Sequence, residues 1–279
     1  MTGYLEILGA VLIWAFFNGV LVKGIRTSGV GVGIWTGLIG VVVFISTLNY
    51  RFLFSLNKSQ LIGLAALSMF AALNNSCFYT ALKISIANAA LFHYLAPMLV
   101  IFWSISVPIF YKPISSADIL ALLIGFSGIV FVAAPKLKER DLRLIYLGVG
   151  SAVFYSLEIV LSSYVSRDLN VNPEVSAFFK LIFQVGVMLV LAKTLGESVK
   201  IQRNQEWVKI IVGGLLLYLS FVLWFGGSIT VNPLHLGVMG YIDRIGAIIL
   251  GSFIFKEKLT KNIVIGGILI LGAGLLIII

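Results

Sequence analysis

Charge is scarce in this sequence. Asp, Glu, Lys and Arg make up 11% of its 279 residues, against about 25% in a soluble globular domain. No polar stretch is long enough to fold as a separate soluble domain. Cysteine is reduced to Cys77, inside an apolar stretch, so an intrachain disulfide is excluded and the redox compartment is left unmarked. The Gly-x-x-x-x-Gly-Lys phosphate loop is missing, which argues against ATP hydrolysis. His-Glu-x-x-His is missing too, which argues against an intramembrane metalloprotease. An aspartyl protease needs two intramembrane aspartates, and only Asp243 sits within an apolar run. No enzyme, cofactor or metal centre is expected. The first apolar run, from Tyr4, has neither a basic lead nor a small-residue cleavage site, and it reads as a retained helix.

What is present is hydrophobic: 60% of the residues, with a mean hydropathy of +1.08. The apolar runs are continuous and do not alternate, which excludes a membrane β-barrel. The net charge of +9 is not a nucleic-acid signal, because most Lys and Arg lie in short connections between the runs. A helix that crosses the bilayer needs about 20 residues. Ten runs qualify: 4–23, 30–49, 59–82, 86–108, 115–134, 142–165, 174–194, 206–228, 233–254 and 261–279. The expected class is an all-α polytopic membrane protein with the lipid bilayer as its solvent, in the inner (plasma) membrane of the cell.

The most hydrophilic central connection is "PKLKERDLR". It divides the chain into 1–134, a linker at 135–143, and 144–279, with five runs on each side. The halves carry weak self-similarity. "YLAP" (Tyr94 to Pro97) and "YIDR" (Tyr241 to Arg244) align at an offset of 147, where "LKIS" meets "ITVN" without a gap. Gly9 stands five before Trp14, and Gly150 five before Tyr155. Five crossings per half send the second copy in from the opposite side, so the expectation is two inverted five-helix repeats with a site near the midplane. Counted by side, 14 Lys and Arg lie at one face and four at the other. The positive-inside rule puts the 14 in the cytoplasm and both termini outside.

This layout resembles the EamA type of the drug/metabolite transporter superfamily. The motifs that carry the resemblance are Gly9 to Trp14-Ala15, Ala96-Pro97 and "KPIS" in the first half. In the second half they are Gly150 to Tyr155-Ser156, Asp243-Arg244 and "KEKLT", where Glu257 and Thr260 match. Arg244 departs from the pattern, standing where the family usually has proline. The resemblance implies transport of metabolites, often amino acids, without ATP. It also implies cytoplasmic termini, against the charge count.

Ionisable groups inside a membrane mark function by default. Here they are Glu158, Lys180, Asp243 and Arg244, balanced in sign. Tyr155, Glu158 and two serines form one helix face, as do Asn75 and Tyr79, and Trp14 and Asn18. Tyr241 and Arg244, three apart, are expected to face the cavity, which turns Asp243 toward a neighbouring helix as a structural or proton-coupling charge. His93, Tyr218 and Trp224 complete the candidate substrate site. Alternatives stay open: Glu158 with Lys180 or Arg244 also reads as a permanent interhelical ion pair, and the aromatic residues also read as packing.

Balanced charges with amides and aromatic rings suit a zwitterion. The expected function is therefore secondary transport of amino acids or similar small molecules by alternating access, with proton coupling open and no oligomer required. The alternative is a carrier of quaternary-ammonium or lipophilic cations, which requires Lys180 and Arg244 to be paired off. A channel is the remoter alternative, because its pore would want charges of one sign.

Overall fold

The computed structural model describes residues 2–22, 24–84, 89, 93, 95–110, 113–133, 142–254 and 261–276. Among these residues every regular element is helical. The helices are α1 (Thr2–Phe16), α2 (Gly29–Thr47), α3 (Lys58–Ile84), α4 (Ala96–Ser106), α5 (Ser116–Ala133), α6 (Leu142–Ser163), α7 (Pro173–Leu195), α8 (Glu206–Gly227), α9 (Pro233–Ile254) and α10 (Lys261–Leu276). A short helix, Tyr50–Phe54, links α2 to α3. Among the described residues, six segments are long and apolar enough to cross a membrane: Thr2–Val22, Gly29–Thr47, Lys58–Ile84, Leu142–Asp168, Pro173–Leu195 and Glu206–Gly227. The other four expected runs contain α4, α5, α9 and α10. Most of the connection at 135–143, Tyr94 and the "KEKLT" turn lie outside the described residues, and α6 begins at Leu142.

The chain's punctuation sets the helix starts. Ser28 caps α2 by accepting the Gly31 N–H at 3.0 Å, and Asn172 caps α7 by accepting from Glu174 N at 2.8 Å ahead of Pro173. Gly196 ends α7 in the left-handed region at φ 64°. Outward faces carry exposed Leu5, Val42, Phe102, Val190 and Phe253. Water would not tolerate such apolar surface on all sides, whereas lipid requires it. The protein is a multi-pass membrane protein.

Sequence patterning missed one feature. After Phe16 the first helix widens into a π-helical turn, Phe17–Val22, and after Ser163 the sixth does the same over Tyr164–Asp168. Leu169 N closes the second turn on Tyr164 O at 3.0 Å. Segments of this kind are rare and concentrate at functional sites.

The core forms where helices from the two halves cross. α1 packs on α8 and α9, α6 on α3 and α4, α2 on α7 and α8, α3 on α7, and α5 on α10. Several crossings bring backbone against backbone. A Cβ at Gly19 would lie 2.5 Å from Ala247 O, and one at Gly128 would lie 2.6 Å from Gly266 O. Only glycine permits that approach.

Candidate functional site

The polar side chains forbidden to lipid converge on one small cavity. It is lined by Trp14, Phe17, Asn18, Asn74, Asn75, Phe78, Tyr79, Tyr155, Glu158, Lys180, Phe221 and Asp243. Its volume is about 30 Å³, room for about two waters, where a small-molecule site needs roughly 300 Å³ or more. The cavity is thus closed down around its charges.

Lys180 and Glu158 form its centre. Lys180 Nζ pairs with Glu158 Oε1, and both residues are about 1% exposed. The ammonium also lies 3.8 Å from the Phe221 ring centroid, with Trp14 and Phe225 farther out. A buried ion pair offsets its desolvation only when further hydrogen bonds complete it. Asn74 supplies one, donating from Nδ2 to Glu158 Oε2 at 2.9 Å. Beside it Asn75 donates to Gln184 Oε1 at 2.7 Å, and Gln184 donates to Gly33 O at 3.0 Å. Trp14 is held by a 2.7 Å hydrogen bond to Ser220 Oγ and by Trp224, whose ring lies 4.9 Å away. Asn18 Oδ1 is buried without a hydrogen-bond partner, in the π-helical turn of the first helix.

The candidate residues separate into three groups. Trp14, Asn18, Asn75, Tyr79, Tyr155, Glu158 and Lys180 line the cavity, and so does Asp243. Four others, Tyr241 among them, lie elsewhere. His93 stands behind Tyr155, stacked on it at 4.4 Å. Trp224 backs Trp14 and donates to Ser162 Oγ at 3.3 Å. Tyr218 packs on Phe44 and meets Thr47 through its hydroxyl at 3.0 Å, away from the cavity. The side chain of Arg244 lies outside the described residues.

The expectation for Tyr241 and Asp243 is corrected. Tyr241 packs against α5, where Gly125 leaves room for its ring, and Asp243 lines the cavity. Helix geometry gives the reason. Gly240, Asp243 and Ala247, spaced by three and four, share the inward face of α9. Gly240 sits under the Tyr155 hydroxyl and Ala247 against Gly19. The small neighbours let that face approach the other helices, and the large tyrosine turns away. Sequence reasoning also missed Phe17, Phe78 and Phe221, because an apolar ring in an apolar run carries no signal.

Each end of the cavity is closed by polar contacts between helices. At one end Lys83 Nζ donates to Val22 O at 2.7 Å and also to Ile25 O. There Glu206 Oε1 accepts from Arg26 N at 2.9 Å, and Trp35 donates to Val199 O at 2.8 Å. At the other end His235 bridges Tyr4 (2.5 Å) and Asp118 (2.7 Å), joining α9 to α1 and α5. Gln60 donates to Leu169 O at 3.0 Å, just beyond the second π-helical turn. Both π-helical turns are therefore tied to α3, one at each end of that helix.

Residues 142–279 match the EamA-like transporter family. Among solved structures, a chain described only as "Crystal structure of protein" is similar to this one with a TM-score of 0.80 and 21% identity, over 99% of this chain and 98% of that one. A likeness at that identity is a likeness of fold. No curated protein matches the sequence.

Proposed function

We propose, from the match of residues 142–279 to the EamA-like transporter family, that this chain is a membrane transporter of small molecules and that its substrates are amino acids or similar zwitterions. The observation that carries this reading is the buried Glu158–Lys180 pair at the cavity wall. A zwitterion separates the pair without leaving a bare charge: its carboxylate takes Lys180, its ammonium takes Glu158, and Asp243 stands nearby. The Glu158–Lys180 pair and a zwitterion each carry no net charge, so loading leaves the charge of the site unchanged.

Ten crossings in two inverted repeats fit the packing. Exchange each helix of α1 to α5 with the one five later. The α1–α8 contact then becomes α6–α3, α1–α9 becomes α6–α4, and α2–α8 becomes α7–α3, while α2–α7 and α5–α10 map onto themselves; all are present. The two π-helical turns start at Phe17 and Tyr164, separated by the offset of 147 at which the sequence aligns with itself. Alternating access is supported by one π-helical turn and one set of closing contacts at each end, opened in turn. The membrane is the inner (plasma) membrane.

The test is a counterflow panel on reconstituted protein: labelled amino acids, choline-like cations and sugar phosphates, with and without a pH gradient. Exchange of amino acids supports the reading, and dependence on the gradient adds proton coupling. A second reading is favoured by the six aromatic residues of the cavity beside Asp243, with Lys180 already paired. That box suits a quaternary ammonium ion. Exchange of the choline-like cation alone replaces the zwitterion with it.

A further inference from the structure

A chain of hydrogen bonds leads out of the cavity, and donor chemistry fixes its direction. The Glu158 carboxylate, paired with Lys180, only accepts, so Asn74 must present its N–H group to it. The carbonyl end of Asn74 then faces Ser151, whose hydroxyl donates to Oδ1 at 2.9 Å. Ser151 has a single proton and has used it. Its oxygen must therefore accept from His93 Nδ1, 2.6 Å away. His93 consequently carries a proton on Nδ1, the less common site in a neutral imidazole.

All four side chains are buried, yet only Asn74 and Glu158 reach the cavity. His93 and Ser151 do not line the cavity. They act on Asn74, whose amide could otherwise turn over at little cost and present its carbonyl to the carboxylate.

We propose that Ser151 and His93 are positioning residues of the ammonium half of the substrate site. Resting on the zwitterion reading, they lock the Asn74 amide with its N–H toward Glu158. When a substrate carboxylate draws Lys180 away, Asn74 keeps Glu158 solvated, aligned and anionic, ready for the incoming ammonium. Without the lock, Asn74 is free to turn its carbonyl toward the carboxylate and repel it. The loss falls on substrate affinity, because the chain acts on the ammonium half of the site through Asn74.

Two measurements on the reconstituted full chain test this. The first needs no ligand. Nitrogen-15 labelling of histidine gives two residues to resolve, His93 and His235, assigned with His235→Asn. The expected His93 signal is the Nδ1–H form in the wild type, its loss in Ser151→Ala, and its return in Ser151→Thr. An Nε2–H signal in the wild type, or an Nδ1–H signal that survives Ser151→Ala, overturns the lock. The second is counterflow of the amino-acid panel. Ser151→Ala should raise KM about tenfold with kcat nearly unchanged, and Ser151→Thr should restore it. Wild-type KM in Ser151→Ala overturns the positioning role alone. No amino-acid exchange by the wild type overturns the zwitterion reading, and with it the ammonium role, whatever the histidine signal shows.

Discussion

Lys180 Nζ rests on Glu158 Oε1 while lying 3.8 Å from the centre of the Phe221 ring. One ammonium thus has a carboxylate on one side and a π face on the other, buried inside the bundle. Whatever enters the cavity must compete with both.

Removing one member of the pair leaves the other buried and uncompensated. Glu158→Gln and Lys180→Met are each expected to lower stability by about 3–5 kcal/mol and to abolish transport. The exchange of Glu158→Lys with Lys180→Glu should recover part of the lost thermal stability in detergent. It should not recover counterflow, because the Asn74 N–H then meets an ammonium. Recovery of both would make the pair scaffolding.

Phe221→Leu keeps apolar volume and removes the π face. A desolvated cation–π contact is worth about 2 kcal/mol, so thermal stability should fall by that order. Phe221→Tyr should keep wild-type stability. If Leu and Phe behave alike in a melting curve, the ring is packing only.

The Gly19 crossing holds the first π-helical turn against α9. In Gly19→Val the new side chain meets Ala247 O, and the two helices must separate. A loss of about 1–3 kcal/mol is expected, with transport falling further than the stability loss explains. Gly186→Ala is the control, because nothing lies within 4 Å of its added carbon. Equal transport in both variants would remove this crossing from the moving parts.

The bridge from Tyr4 through His235 to Asp118 closes one end of the cavity. Cutting it with His235→Ala should let that end open more often. In a Cys77→Ser background, Asn18→Cys is expected to react several-fold faster with a membrane-impermeant thiol reagent applied from that side. An unchanged rate would mean that the bridge does not hold the closed state.

Much of this was legible in the sequence. Apolar runs gave the helices, because a bilayer leaves a continuous backbone no other way to satisfy its hydrogen bonds. Charge within those runs pointed to Glu158, Lys180 and Asp243, since each is costly there without a partner. The three-and-four spacing put Tyr155 with Glu158 and Asn75 with Tyr79, and the structure places all four at the cavity.

The sequence by itself therefore determined the class, the helical segments among the described residues and the buried place of Glu158, Lys180 and Asp243. Only the tertiary structure decided which of them meet. Lys180 chose Glu158 because α6 and α7 both pack on α3, whose Asn74 completes the carboxylate. Asp243 faces inward, and Tyr241 does not, because glycine and alanine flank one side of α9 and a glycine on α5 admits the ring on the other. Periodicity names a face of a helix. Which neighbour that face meets depends on how closely each backbone can approach, and that is settled only when the helices pack.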